Sequence, residues 1–293
     1  MKSGSKTVKF PLVGDVVMML LLFVVAQLLV GVVLNLFGIS APTISPIGEE
    51  SATDVEAYMS SQEALGRYNA WMYPLIMLFS MGAMWLYIRL RGGKGVLRIR
   101  HSVVGLNPTI VLVGVVWLFS SQILLEPLLA LLPEKAPSAL GLGGWACFTA
   151  VVSAPILEEL LCRGLILETL HNRWGRVVSV FGSALFFGLI HFDISTMIVA
   201  MVAGAIFGIL YLRASSIFTT IIIHSLNNAI AFTLINFEKD GTSFSEVVGG
   251  GTAYYILYGV AAVVFVAISV WVSFRVFRPR GRGAKAVEQT AEK

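Results

Sequence analysis

An all-α, polytopic membrane bundle of about eight transmembrane helices is the fold class this sequence predicts, on three observations. Hydrophobic residues make up 57% of the 293-residue chain and charged residues only 13%, where a soluble domain carries about 25% charged residues. The apolar residues gather into runs close to the roughly 20 residues that a span requires. The Lys and Arg residues flank those runs, as in the cytoplasmic loops of membrane proteins. The mean hydropathy of +0.83 agrees. The net charge of +4 therefore belongs to membrane flanks and gives no reason to expect a nucleic-acid partner. Cys147 and Cys162, the two cysteines, fall in one apolar segment, outside any CxxC or metal-ligand spacing, which argues against a secreted disulfide framework.

The first span is expected over roughly 16–39, after a basic start at Lys2, Lys6 and Lys9. Its apolar run exceeds that of a cleaved signal peptide, so it reads as a retained anchor. A polar loop with Glu49, Glu50, Asp54, Glu56 and Glu63 is expected from about Ser40 to Arg67. The second span, about 68–90, opens with Tyr68, Trp71 and Tyr73, residue types suited to the membrane interface. A basic loop with Arg89, Arg91, Lys94, Arg98 and Arg100 follows, then a third span over about 109–132 and a turn from Pro133 to Pro137. The fourth apolar segment starts near Gly143 and ends near His171, Arg173 and Arg176. A short fifth covers about 177–191, a sixth about 194–212, a seventh about 216–236 and an eighth about 252–274, before a tail with Arg275, Arg278, Arg280, Arg282 and Lys285.

Placing both termini in the cytoplasm puts each of these basic clusters inside, and the acidic loops at Glu49–Glu63 and Glu238–Asp240 outside. The loops leave no room for a soluble catalytic domain. No internal repeat stands out, which weakens a transporter reading built on inverted halves.

Two adjacent carboxylates, Glu158 and Glu159, stand inside the fourth segment, where an unpaired charge is costly. His191 closes the fifth segment, and the seventh carries His224 and Asn228. At about 1.5 Å per residue, the glutamates lie roughly 15–20 Å from the cytoplasmic end of their span, His191 roughly 20–24 Å and His224 with Asn228 roughly 12–20 Å. Three segments thus bring polar groups to overlapping depth, and intramembrane ionisable residues mark functional sites by default.

Spacing sorts their chemistry. Glu159 and Arg163 are four apart, with the glutamate on the N-terminal side, the favoured order for a helical ion pair. Glu158 points about 100° away around the helix and is free for another partner. His224 and Asn228 share a face at the same spacing, while Asn227 turns elsewhere and reads as structural. A carboxylate, two imidazoles and an amide can activate water and stabilise an oxyanion, the requirements of amide hydrolysis without a covalent intermediate. Phe187 reads as packing, Gly204 and Gly208 as a close helix contact, and His101 and His171 as solvated.

These residues resemble a known family. Glu158-Glu159-Leu160-Leu161-Cys162-Arg163 is similar to the EExxxR motif of the CAAX prenyl protease and bacteriocin-processing family, also called Abi. Phe187-Gly188-Leu189-Ile190-His191 resembles its FxxxH motif, and His224-Ser225-Leu226-Asn227-Asn228 its HxxxN motif, in the family's order. The resemblance implies an eight-helix, metal-free, glutamate-dependent intramembrane endopeptidase that needs no cofactor. It implies Glu158 as general base, His191 as a holder of the water, His224 with Asn228 as the oxyanion site, and Glu159 with Arg163 as architectural support. On this view residues 1–142 are N-terminal spans, 143–236 the protease-like core, and 237–293 the last span and basic tail.

The expected partners are the lipid bilayer and a membrane-associated peptide or protein, prenylated or not, in a prokaryotic inner membrane. Two other classes stay open. One is a catalytically silent scaffold or immunity protein of the same family. The other is a zinc-dependent hydrolase in which Glu158, His191 and His224 hold the metal, although the helical HExxH spacing is missing.

Overall fold

The computed structural model describes residues 10–45, 52–93, 99–102, 106–132, 140–237 and 248–276, and over these the chain is helical, with one isolated antiparallel bridge between His101 and Ser216. The helices are α1 (Val13–Leu36), α2 (Ala52–Leu90), α3 (Pro108–Leu129), α4 (Gly143–Phe148), α5 (Ala154–Glu159), α6 (Glu168–Leu189), α7 (Ile194–Ala214), α8 (Ile217–Phe237) and α9 (Gly251–Val276). By length and composition, 6 of the described helices can cross a membrane: those at Val13–Leu36, Asp54–Leu90, Pro108–Leu129, Ile194–Ala214, Ile217–Leu234 and Gly251–Phe274. The all-helical membrane architecture is therefore as expected. The expected fourth and fifth segments are not among the six; they run through α4, α5 and α6, and α6 breaks at Gly175, at the boundary expected between them. Lys2, Lys6, Lys9, Glu49, Glu50, Lys94, Arg98, the Pro133–Pro137 turn, the Glu238–Asp240 loop and the tail from Arg278 to Lys285 lie outside the described residues.

Two π-helical segments, Thr149–Ser153 and Leu160–Leu167, link α4 to α5 and α5 to α6. Such wide turns free backbone carbonyls for other partners and are frequent at functional sites. The run is broken at Gly175, whose φ of 74° and ψ of −169° lie outside helical space. A residue with a Cβ would resist that conformation.

One expected loop is shorter than the sequence suggested. Helix begins at Ala52, well before Arg67, because residues 52–67 are rich in helix formers and pack on the start of α4. Gln62 is buried and its carbonyl accepts from the Leu142 N–H at 3.1 Å. A Cβ at Gly66 would lie 2.6 Å from the Leu142 oxygen, so only glycine admits this approach. A second cluster fixes α1 to the far end of α2: Asp15 accepts from Tyr87 Oη at 2.6 Å and Arg91 Nε at 2.9 Å.

The centre of the bundle is the contact of α6 with α7. A Cβ at Gly204 would sit 3.0 Å from Ala184 Cα, which bears out close helix packing at this position. Asn107 caps α3 by accepting from the Thr109 N–H, and Asp193 caps α7 by accepting from that of Thr196. Ser215, in left-handed conformation at φ 51°, turns α7 directly into α8. The strap of residues 99–102 lies against this turn, with Ser102 N donating to Ser215 O and Ile217 N to Arg100 O. Arg100 also reaches Glu168 at 2.7 Å, and Tyr211 Oη donates to the same carboxylate at 2.9 Å. His101 is exposed, whereas His171 is half-buried on α6 instead of free in solvent; the α6 helix continues past it and holds it against the protein.

Candidate functional site

Glu158 and Glu159 end α5, at the boundary with the second π segment, and both are buried. Glu159 is fully enclosed and accepts from Arg163 Nη1 at 2.8 Å, the helical pair that the spacing predicted. Arg163 is equally enclosed. Its Nη2 donates to the Gly204 carbonyl of α7 at 2.9 Å, and its guanidinium lies 4.9 Å from the Phe187 ring centre and 5.2 Å from that of Phe207. Cation–π contact on both rings lowers the desolvation cost of this buried charge.

Glu158 turns away from that pair, as the 100° helical step requires, and meets different partners. Tyr73 Oη of α2 donates to Glu158 Oε1 at 2.5 Å. This contact corrects the expectation that Tyr73 sits at the membrane interface. The helix positions it inward, where its hydroxyl satisfies a buried carboxylate. Its partner is 85 residues distant in sequence, so no local pattern announces the contact.

His224 of α8 joins the two glutamates. Nδ1 lies 3.3 Å from Glu159 Oε1, and Nε2 lies 3.7 Å from Glu158 Oε2. Its ring stacks on Phe207 at 5.1 Å between centroids and meets the edge of Phe187 at 5.6 Å. His191 is half-buried just beyond α6; its Nδ1 faces the Phe187 carbonyl at 2.7 Å and its ring packs on the Phe187 ring at 4.9 Å. Phe187 thus touches both imidazoles and Arg163. It is the packing residue the sequence suggested, with the added role of setting the angles of three polar side chains. The geometry brings Glu158, Glu159, Arg163 and His224 into direct contact, and links His191 to them through this ring.

Asn228, one turn beyond His224, donates from Nδ2 to the Ala150 carbonyl at 2.9 Å. The reason is local. Within the first π segment the Ala154 N–H donates to Thr149 O. The next residue, Pro155, has no N–H to give, so the Ala150 carbonyl needs an outside donor. Asn227 donates to Asn228 Oδ1 at 3.2 Å and accepts from Gln122 Nε2 of α3 at 2.6 Å. This chain turns the carboxamide of Asn228 so that its amino group faces α4 and α5. Gln122 carries no helix-local signal of this role. Among the described residues, no three His, Cys, Asp or Glu side chains are grouped as metal ligands.

An integral membrane protein with a carboxylate–imidazole–amide cluster enclosed by its helices is the class these features define. Residues 141–230, the stretch that holds all three motifs, match the family described as Rce1-like, type II CAAX prenyl endopeptidase Rce1-like. The matched residues include every member of the cluster except Tyr73 and Gln122. No curated protein and no solved structure matches the chain.

Proposed function

We propose that this chain is a glutamate-type intramembrane endopeptidase that hydrolyses a peptide bond of a membrane-associated peptide or protein. The observation that carries this reading is His224 standing within 3.3 Å of one glutamate and 3.7 Å of the other, which joins two motifs from different helices in one enclosed cluster. The match of residues 141–230 to a prenyl endopeptidase family supports it.

In this reading Glu158 takes a proton from a water, and the resulting hydroxide attacks the scissile carbonyl carbon. The carbonyl π pair moves onto oxygen, where His224 Nε2–H and the Asn228 amino group donate to it. Collapse of this intermediate breaks the C–N bond, and the proton held by Glu158 passes to the departing amine. Donors aimed at the developing oxyanion stabilise the transition state more than the ground state. Glu159 orients the His224 ring through Nδ1 at 3.3 Å, which leaves Nε2 facing Glu158 and the reacting side. His191 helps hold the water, and Glu159 with Arg163 keeps the helix ends in register. Both termini lie in the cytoplasm, eight helical segments cross or enter the membrane, and the basic cytoplasmic face suits anionic headgroups.

The test is a cleavage assay on purified protein in lipid vesicles, with prenylated and unprenylated forms of one peptide. Asn228→Ala is expected to lower kcat by about 10²–10³ with little change in KM, and turnover is expected to survive a strong chelator. Turnover unaffected by Asn228→Ala would contradict the oxyanion role. Loss with the chelator would favour the zinc reading. Partner binding and cellular phenotype that persist in folded Glu158→Gln and Asn228→Ala variants would favour a scaffold.

A further inference from the structure

The two oxygens of Glu158 have different neighbours. Oε1 accepts from Tyr73 Oη at 2.5 Å, while Oε2 faces His224 Nε2 at 3.7 Å, too long for a direct hydrogen bond. A carboxylate at the end of a helix can turn about its terminal bond, and an unanchored one would offer either oxygen to a water. A short hydroxyl-to-carboxylate bond is among the stronger hydrogen bonds available to a buried side chain. The tyrosine is itself packed against the hydrophobic core to which Met77, one turn on in α2, belongs.

We propose that Tyr73 is the positioning residue of the site, fixing Glu158 through Oε1 so that Oε2, on the His224 side, is the oxygen that acts as base. This rests on the endopeptidase reading given above. Tyr73 touches neither the scissile bond nor the water; it acts by limiting the orientations of the carboxylate. It also ties the site to α2, outside the 141–230 segment, so the N-terminal half of the chain contributes to turnover as well as to the scaffold.

The test uses the full chain in lipid vesicles. Tyr73→Phe keeps the ring and removes only the hydroxyl, so the fold and KM are expected to persist while kcat falls about tenfold or more, the loss of one hydrogen bond to a charged group. In a Glu158→Gln background the same change is expected to add little, because the group being positioned has gone. A role confined to packing predicts instead a lower unfolding temperature and equal effects in both backgrounds, and that result would overturn the proposal. A second readout is independent of cleavage: isotope-edited infrared spectra of the carboxyl group, assigned to Glu158 by its loss in Glu158→Gln, should shift in Tyr73→Phe. An unshifted Glu158 band overturns the proposal even if no peptide is cleaved. A shifted band with no cleavage by wild-type protein would instead count against the endopeptidase reading.

Discussion

Helices α7 and α9 are both apolar enough to cross a membrane, yet 56% of the α7 window is buried inside the protein against 11% of that of α9. The two windows are about equally apolar, so hydrophobicity does not account for the difference. Ala200, Ala203, Gly204 and Gly208 give α7 a low surface against which α6 closes, and van der Waals packing of this kind holds membrane helices together. Helix α9 instead turns Tyr255, Val263 and Phe274 outward and touches the bundle through points such as the Trp117–Ser269 hydrogen bond. A hydropathy profile identifies both as spans and cannot say which one supports chemistry. Small residues and backbone acceptors, such as the Gly204 carbonyl that receives Arg163, make that distinction.

The buried and peripheral ion pairs extend the contrast, and they give the largest expected effect. Removing Arg163 leaves Glu159 enclosed without its cation; Arg163→Leu should destabilise the protein by about 3–5 kcal/mol. Arg91→Leu, which breaks the pair with Asp15 at the edge, should have a far smaller effect on the same thermal unfolding measurement in lipid. Equal effects would break the distinction between centre and edge. Next comes packing: Gly204→Leu should cost about 1–3 kcal/mol by forcing α6 and α7 apart. Gly259→Leu on α9, where a Cβ meets nothing within 4 Å, should leave the unfolding temperature nearly unchanged. The smallest effect is expected at Gln122. Gln122→Leu removes the hydrogen bond that orients Asn227, worth about 1 kcal/mol, so kcat should fall about fivefold with stability nearly retained.

Residues whose meaning depends on helical spacing were legible in the sequence. The Glu159–Arg163 pair, the separation of Glu158 from Glu159, and the shared face of His224 and Asn228 all follow from 3.6 residues per turn and reappear in the structure. Tyr73 and Gln122 were not legible as site residues, because their partners lie 85 and 105 residues away and only tertiary packing joins them. The π turns left one trace, Pro155, whose missing N–H leaves the Ala150 carbonyl to Asn228. The break at Gly175 falls at the Arg173–Arg176 boundary expected between the fourth and fifth segments, and glycine admits the φ of 74° found there. The early start of α2 was hidden by polar residues, which hydropathy reads as loop whether or not the backbone is helical.

The central claim is a division of labour between two adjacent carboxylates, and one paired measurement tests it most directly. Cleavage rate and unfolding temperature should be determined on the same purified preparations of Glu158→Gln and Glu159→Gln in lipid. Glu158→Gln is expected to lower turnover by about 10² or more, because it removes the basic oxygen, while the unfolding temperature stays close to that of the parent. Glu159→Gln is expected to lower the unfolding temperature or the yield of folded protein, because it leaves Arg163 buried without its counter-charge. If Glu158→Gln unfolds readily and Glu159→Gln stays folded but loses turnover, the roles are reversed and this account of the site is wrong.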